Sequence, residues 1–205
     1  MVKKITPNNA IMSLGEKIRA CRKQEKLTMQ VLANRAGLSV GFISQVERNL
    51  TVPSLSSLTA IAGVLGHPMS HFVDQPLNVE EATRFGKRLS FRVGEGPLSY
   101  ERISTSFEGS SLRSVIIHEP PGHRAEPISH DGEELFFVLR GEVTVELEGK
   151  RTVLKAGDTL HFDSSRQHST WNHTNKAVSI LWCGTMDVFG EEAINPIHRE
   201  LNIAN

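Results

Sequence analysis

The sequence predicts two domains, an all-α unit followed by an all-β barrel or sandwich, and three observations carry that prediction. From residue 13 to about 72, apolar positions recur at helical spacing between capping residues. From Leu98 onward they alternate or cluster in short runs broken by Gly, Pro or Asp, which is strand patterning. The formal net charge of zero also divides unevenly. Residues 1–74 hold nine Lys and Arg against four Asp and Glu, a net of +5, while residues 75–205 hold fourteen against nineteen, a net of −5. A basic first third suits a nucleic-acid partner, and the acidic remainder argues against DNA wrapping the whole molecule.

At 205 residues, 39% hydrophobic and 22% charged, the chain has the make-up of an ordinary soluble globular protein of one large or two small domains. No apolar run approaches the roughly 20 residues of a membrane span, and the basic start "MVKK" is not followed by a signal-peptide core. A cytoplasmic location is expected. Cys21 and Cys183 lie far apart in apolar-periodic segments and are expected to stay reduced, without a disulfide or metal role.

In the first third, Leu14, Ile18 and Cys21 form the apolar stripe of a helix that starts near Ser13, with Lys17, Arg19, Arg22, Lys23 and Lys26 mostly off it. Thr28 can cap a second helix through Met29 to Ala36, and Gly37 can take the positive φ at which it stops. Ser39 caps a third, "SVGFISQVERN", with Phe42, Ile43 and Val46 inward. Pro53 and Ser54 start a fourth, striped by Leu55, Leu58, Ala62 and Leu65. Two short helices joined by a "GLS" turn describe a helix-turn-helix, whose second helix can enter a DNA major groove.

The run "LTMQVLANRAGLSVGFISQVERNLTVPSLSSLTAIAGVLG", with Ala33, Gly37, Ile43, Glu47, Pro53 and Leu58 in place, resembles the phage-repressor type of helix-turn-helix, λ-repressor-like in fold. The resemblance implies that Ser39 to Arg48 is the recognition helix, with Val40, Gly41 and Ser44 as its first solvent-facing positions and Gln45 on the next turn. A Gln amide at 45 can bond adenine N6 and N7 together, whereas Val40 and Gly41 depart from the usual polar readers and suit a thymine methyl or close approach. Gln30, Ser39, Arg48 and the basic first helix are the remaining DNA-contact candidates, chiefly for phosphate. Met29 departs from the polar residue common in the family. Glu47 reads as a structural ion-pair group.

The segment "DQPLNVEEATRFGKRLSF" is polar and weakly periodic and reads as a linker. The expected division is a helix-turn-helix domain over 1–74, a linker over 75–97, a β domain over 98–190 and a C-terminal tail over 191–205. "ELEGKRTVL" has hairpin chemistry around Gly149 and Lys150. The stretch "EPISHDGEELFFVLRG" suits a metal site, an organic-ligand pocket or a plain β-barrel. Its His130, Glu134 and Gly141 match the end of the first cupin motif, and Gly157, His168 and Asn172 match the second, so the domain resembles a cupin, a jelly-roll barrel. Ile128 stands where the motif has its first histidine, and Asp163 and Ser165 replace its Pro and Gly.

The cupin resemblance implies a site at His130, Glu134 and His168. Two histidines and a carboxylate can form a facial triad for a divalent metal (Fe, Mn, Ni or Zn), although Ile128 removes one ligand and dries the spot. The other use is an effector pocket, for which Tyr100, Arg113, Glu126, Ile128, His130, Glu134, His168 and Trp182 are the candidates. Glu134 and Glu126 suit an amine; the two histidines suit a carboxylate or hydroxyl. His118, His123, His161 and His173 read as surface or satisfied-core residues.

Together the two domains resemble bacterial transcription regulators with an N-terminal helix-turn-helix and a C-terminal cupin, of the XRE family. A putrescine-utilisation repressor of that group carries a run like "ISHDGEE". The resemblance implies a homodimer that binds operator DNA in sequence-specific fashion and senses an amine, amino acid or related nutrient. The alternative is a cupin metalloenzyme, a dioxygenase or isomerase, with an attached DNA-binding domain.

Overall fold

Four helices precede a two-sheet β domain in the computed structural model, which describes residues 12–74, 80–88 and 90–190. The expected tail, 191–205, lies outside the described residues, as do 75–79 and 89 of the expected linker. The helices are α1 (Leu14–Gln24), α2 (Met29–Arg35), α3 (Val40–Glu47) and α4 (Leu55–Val64), followed by a 3-10 turn at Met69–His71. Each helix opens at a hydroxyl that accepts an N–H of the first turn: Ser13 from Glu16, Thr28 from Val31, Ser39 from Phe42, Ser54 from Ser57. These caps satisfy donors that would otherwise be orphaned. Gly37, at φ +66°, ends α2 as its sequence position suggests.

Helices this short are marginal alone, so their packing holds them. Ile18, Leu32, Ala33, Ile43, Val46, Leu58 and Ile61 are buried at their common centre. Arg22 of α1 pairs with Glu47 of α3, Nη2 to Oε2 at 2.8 Å, and its Nη1 donates to the Leu27 carbonyl. Glu47 is thus the structural group its sequence context suggests. Arg22, however, must be removed from the phosphate candidates, because the residue is itself buried and its guanidinium is held by Glu47 inside the domain.

The β domain has a six-stranded sheet, in the order β1 (Ser90–Phe91), β2 (Ser99–Arg102), β3 (Arg113–Glu119), β9 (Val178–Gly184), β4 (Glu133–Arg140), β7 (Thr159–Asp163). A three-stranded sheet follows the order β6 (Lys150–Lys155), β5 (Glu142–Leu147), β8 (His168–Trp171). All pairings are antiparallel. Strand β9 alternates strictly, with Val178, Ile180, Trp182 and Gly184 buried, as a half-buried strand should. Asn172 is fully buried, and its Nδ2 donates to the carbonyls of Glu119, Pro120 and Lys176, stapling the ends of β3 and β9.

Two expectations shift. The stretch expected as linker contributes β1, where Phe91 stacks on Tyr100 at 5.4 Å and Val93 is buried; two residues are too few to show a period of two. The β5–β6 turn lies at Glu148 (φ +51°) and Gly149 (φ +77°), one residue earlier than Gly149–Lys150, because Lys150 already pairs with Leu147. Positive φ at both positions is what a two-residue hairpin turn of type I′ requires.

The helical and β units touch. The Leu55 N–H donates to the Tyr100 hydroxyl at 3.2 Å, the Ser39 hydroxyl donates to Glu126 at 3.0 Å, and the Gly94 loop packs on Leu14 and Val52. Among the described residues no helix is long and apolar enough to cross a membrane.

Candidate functional site

Two features of the molecule have the make-up of functional sites, the outer face of α3 and a cavity in the β domain. On α3, Phe42, Ile43, Val46 and Glu47 are buried and leave Gly41, Gln45 and Arg48 exposed beside the exposed cap Ser39, with Ser44 half-buried. Val40 packs partly against the core. A Cβ at Gly41 would meet nothing within 4 Å, so the backbone there is open to close approach. On α2, the exposed Gln30 donates to Asn34 at 2.8 Å, so a DNA contact by its amide group competes with that bond. Arg19, Lys23 and Lys26 remain exposed as cations of the same domain.

The cavity is about 60 Å³. Of the expected pocket residues, Tyr100, Glu126, Ile128, Glu134, His168 and Trp182 line it. Arg113 does not and must be corrected. It shares the facing of Val115 and Ile117 but starts β3, some six residues or about 20 Å of strand from Glu119, and it is committed to Asp187 and the Ser110 carbonyl. His130 stands behind the lining, its ring edge-on to His168 at 5.3 Å between centroids.

His130, Glu134 and His168 come together as their motif spacing implies. Glu134 is 1% exposed, with Oε1 3.0 Å from His130 Nε2 and Oε2 3.5 Å from His168 Nε2. Each histidine sets its Nδ1 against a carbonyl, that of Asp131 at 3.0 Å and that of Arg166 at 2.8 Å. Such bonds fix the proton on Nδ1, and a neutral ring then turns the lone pair of Nε2 toward the carboxylate. Burial pulls the His130 pKa down, but the hydrogen bond and charge of Glu134, with help from Asp131, leave it raised, toward the imidazolium that would relieve the clash. A divalent cation would relieve it equally. One ligand atom from each residue lies within 4.8 Å of the others, and two imidazoles with a carboxylate are a donor set that fits such an ion. Ile128 is joined to His168 by a two-way backbone bridge, at 3.0 and 2.9 Å, so the side chain in place of the cupin histidine stands beside this group.

Sequence reasoning missed much of the cavity wall, and three of the missed parts bear on its chemistry. Glu119, at the end of β3, is 2% exposed; its Oε1 accepts from the Thr170 hydroxyl at 2.6 Å and its Oε2 has no partner. Burial raises its pKa to about 7. Its inward facing follows from the alternation through Val115 and Ile117, but only once the facing of β3 is known. His123, expected as surface or satisfied core, also lines the cavity, and burial lowers its pKa. Ser54, Leu55 and Ser56 line it from the helical domain, for which no local sequence signal exists. His118, His161 and His173 are bound elsewhere, to Glu101, Glu133 and Thr144. A second cluster, Cys21 with His67 and His71, also brings ligand atoms within 4.8 Å; burial raises the Cys21 pKa, and its Sγ lies 3.5 Å from His71 Nε2.

Comparison with known proteins shows the same order of two domains. A helix-turn-helix family model matches residues 18–72 and a cupin domain model matches residues 115–184. The HTH-type transcriptional regulator PuuR of Escherichia coli (strain K12) is 24% identical over 177 residues, 85% of this chain and 96% of that protein. The immunity repressor protein of Bacillus phage phi105 is 41% identical over 70 residues, 34% of this chain and 49% of the repressor. The crystal structure of an HTH_3 family transcriptional regulator from Vibrio cholerae superposes with a TM-score of 0.52 at 19% identity, covering 84% of this chain and 94% of that one. The chain thus joins an N-terminal helix-turn-helix domain of the HTH_3 (XRE) type to a C-terminal cupin domain, the make-up of cupin-bearing helix-turn-helix regulators.

Proposed function

We propose that the chain is a sequence-specific DNA-binding transcriptional regulator whose cupin barrel senses a small molecule without turning it over. One observation carries this reading: a single chain couples an exposed recognition-helix face to a half-enclosed, largely apolar cavity into which Glu119, Glu126 and Glu134 also face. Ser39, Val40, Gly41, Ser44 and Gln45 form the reading edge; Arg48, Arg19, Lys23 and Lys26 supply phosphate contacts. The effector site is built by Tyr100, Glu126, Ile128, Glu134, His168 and Trp182, to which Glu119 and His123 are added. The protein acts in the cytoplasm as a two-fold dimer. That symmetry sets two recognition helices about one DNA turn apart, roughly 34 Å, on a palindromic operator.

Binding to a duplex from upstream of its own gene, followed by fluorescence anisotropy across a salt series, tests the reading. The wild type should prefer that duplex over random DNA and lose affinity steeply with salt. Gln45→Ala should cost about 1–3 kcal/mol on the specific duplex and little on random DNA. Equal binding to both duplexes by the wild type would remove the DNA-reading role.

The His130, Glu134 and His168 donor set favours a second reading, a cupin metalloenzyme with an attached DNA-binding domain. Metal analysis of protein purified without chelator separates the two in combination with turnover: a sensor shows no substrate consumption whether or not iron or manganese is present, and an enzyme requires it. Ile128→His should raise metal affinity by adding a third imidazole at a position bridged to His168.

A further inference from the structure

The wall of the cavity comes from both domains. Ser54, Leu55 and Ser56, the cap and first turn of α4, close one side of a chamber otherwise built by the barrel. In that turn the Ser57 N–H donates to the Ser54 hydroxyl and the Leu55 N–H to the buried Tyr100 hydroxyl, while the Ser56 N–H takes no partner among the described residues. A helix N-terminus carries partial positive charge and calls for an acceptor or an anion. The barrel contributes the opposite demand. Glu119 is almost wholly buried and lines the same chamber, and its Oε2 lacks a donor. A buried carboxylate oxygen without a donor is costly to leave so, which makes it the natural anchor for a ligand N–H.

We propose that this chamber is a two-domain site for a small amino acid, its ammonium on Glu119 Oε2 and its carboxylate against the first turn of α4. The proposal rests on the reading of the barrel as a sensor and names the ligand class for it. The cavity of about 60 Å³ admits a molecule of that size, since about five water-sized groups at roughly 10–15 Å³ each fit within it. A diamine would leave the first turn of α4 without an anion, because neither of its ammonium groups can answer the positive end of that helix. The amine-type effector that the sequence resemblance implies is narrowed to a molecule with one amine and one carboxylate.

Such a ligand ties α4 to the barrel and so favours the docked arrangement of the two domains. In that arrangement Ser39, the cap of the recognition helix, donates to Glu126, and Gly37 lies against the Ser129 carbonyl, at 3.4 Å from where a Cβ would stand. A carboxylate at the N-terminal end of the recognition helix repels the phosphate backbone, and the contact occupies a hydroxyl that DNA would use. Bound amino acid therefore weakens DNA binding, by the differential affinity that any switch requires.

Thermal melting of the full chain with glycine, L-alanine or β-alanine at 20 mM, roughly the range in which weak effectors saturate, against acetate, methylamine and 1,4-diaminobutane at equal ionic strength, tests the site. At least one amino acid should raise Tm by several degrees, and the three controls should raise it far less. Glu119→Gln, which keeps the Thr170 bond and loses the charge, should abolish the shift; Glu119→Asp, which withdraws the carboxylate by one methylene, should reduce it and serves if the first variant melts too low to assay. In anisotropy on the upstream duplex, the active amino acid should lower wild-type affinity about tenfold and leave Glu119→Gln unchanged. No shift with any amino acid, an equal shift with the diamine, or an undiminished shift in the Glu119 variants overturns the proposal. The melting arm involves no DNA, so a failure of the DNA-reading role shows only in the anisotropy arm and is told apart from a failure of the site.

Discussion

Glu119 ties stability to pH in a window that can be named. Its pKa lies near 7 in the folded chain against an ordinary value of 4.5, so the folded state holds a proton that the unfolded chain has released between those values. Below about pH 4.5 both states are protonated and the advantage is complete; it declines as pH rises and is gone above about 7, at a cost of up to a few kcal/mol. Glu119→Gln should flatten this part of the stability-versus-pH curve in denaturant melts, while the rest of the curve is kept. At Arg22 and Glu47 the physics differs, since each charge is buried against the other. Glu47→Ala should destabilise the helical domain by about 3–5 kcal/mol, because it strands a buried guanidinium, and the change is read from the urea midpoint. Glu47 was legible as structural from its place in the helix-turn-helix pattern. Its partner was not, because nothing in the stripe of α1 separates Arg22 from the exposed Arg19 and Lys23.

At the scale of elements, the helices were the most legible part. Ser13, Thr28, Ser39 and Ser54 each stand just before an apolar stripe, and a cap acts locally, so sequence and structure agree to within a residue. Thr28→Ala should cost about 1 kcal/mol, measured as a fall in the denaturation midpoint, by freeing the Val31 N–H at the start of the seven-residue α2. Strands were legible where they are long and alternate, as in β9, and hidden where they are short or irregular. The two-residue β1 carries no period. In β4 a bulge between Val138 and Arg140 leaves Leu139 exposed, a break in register that alternation cannot announce. The β5–β6 turn was misplaced by one residue because Glu148, not Lys150, takes the positive φ beside Gly149.

At the scale of the whole molecule, the proposed dimer has a definite measurement. Sedimentation equilibrium should give about twice the 22.7 kDa of one chain, and footprinting should protect a palindrome whose half-sites lie one turn, roughly 34 Å, apart. A monomer that protects a single half-site would remove the two-fold arrangement. The sequence by itself determined the two-domain order, the four helix starts, the helix-turn-helix pattern, and the pairing of His130 and Glu134 with His168, because caps, stripes and motif spacings are local patterns that survive in one dimension. Only the tertiary structure decided that Glu119 lines the cavity while Arg113 does not, that Arg22 is buried, and that the first turn of α4 and the cap of α3 meet the barrel at Tyr100 and Glu126. Those facts depend on which face of a strand turns inward and where one domain rests on another, and burial of this kind is a property of contacts between residues far apart in the chain.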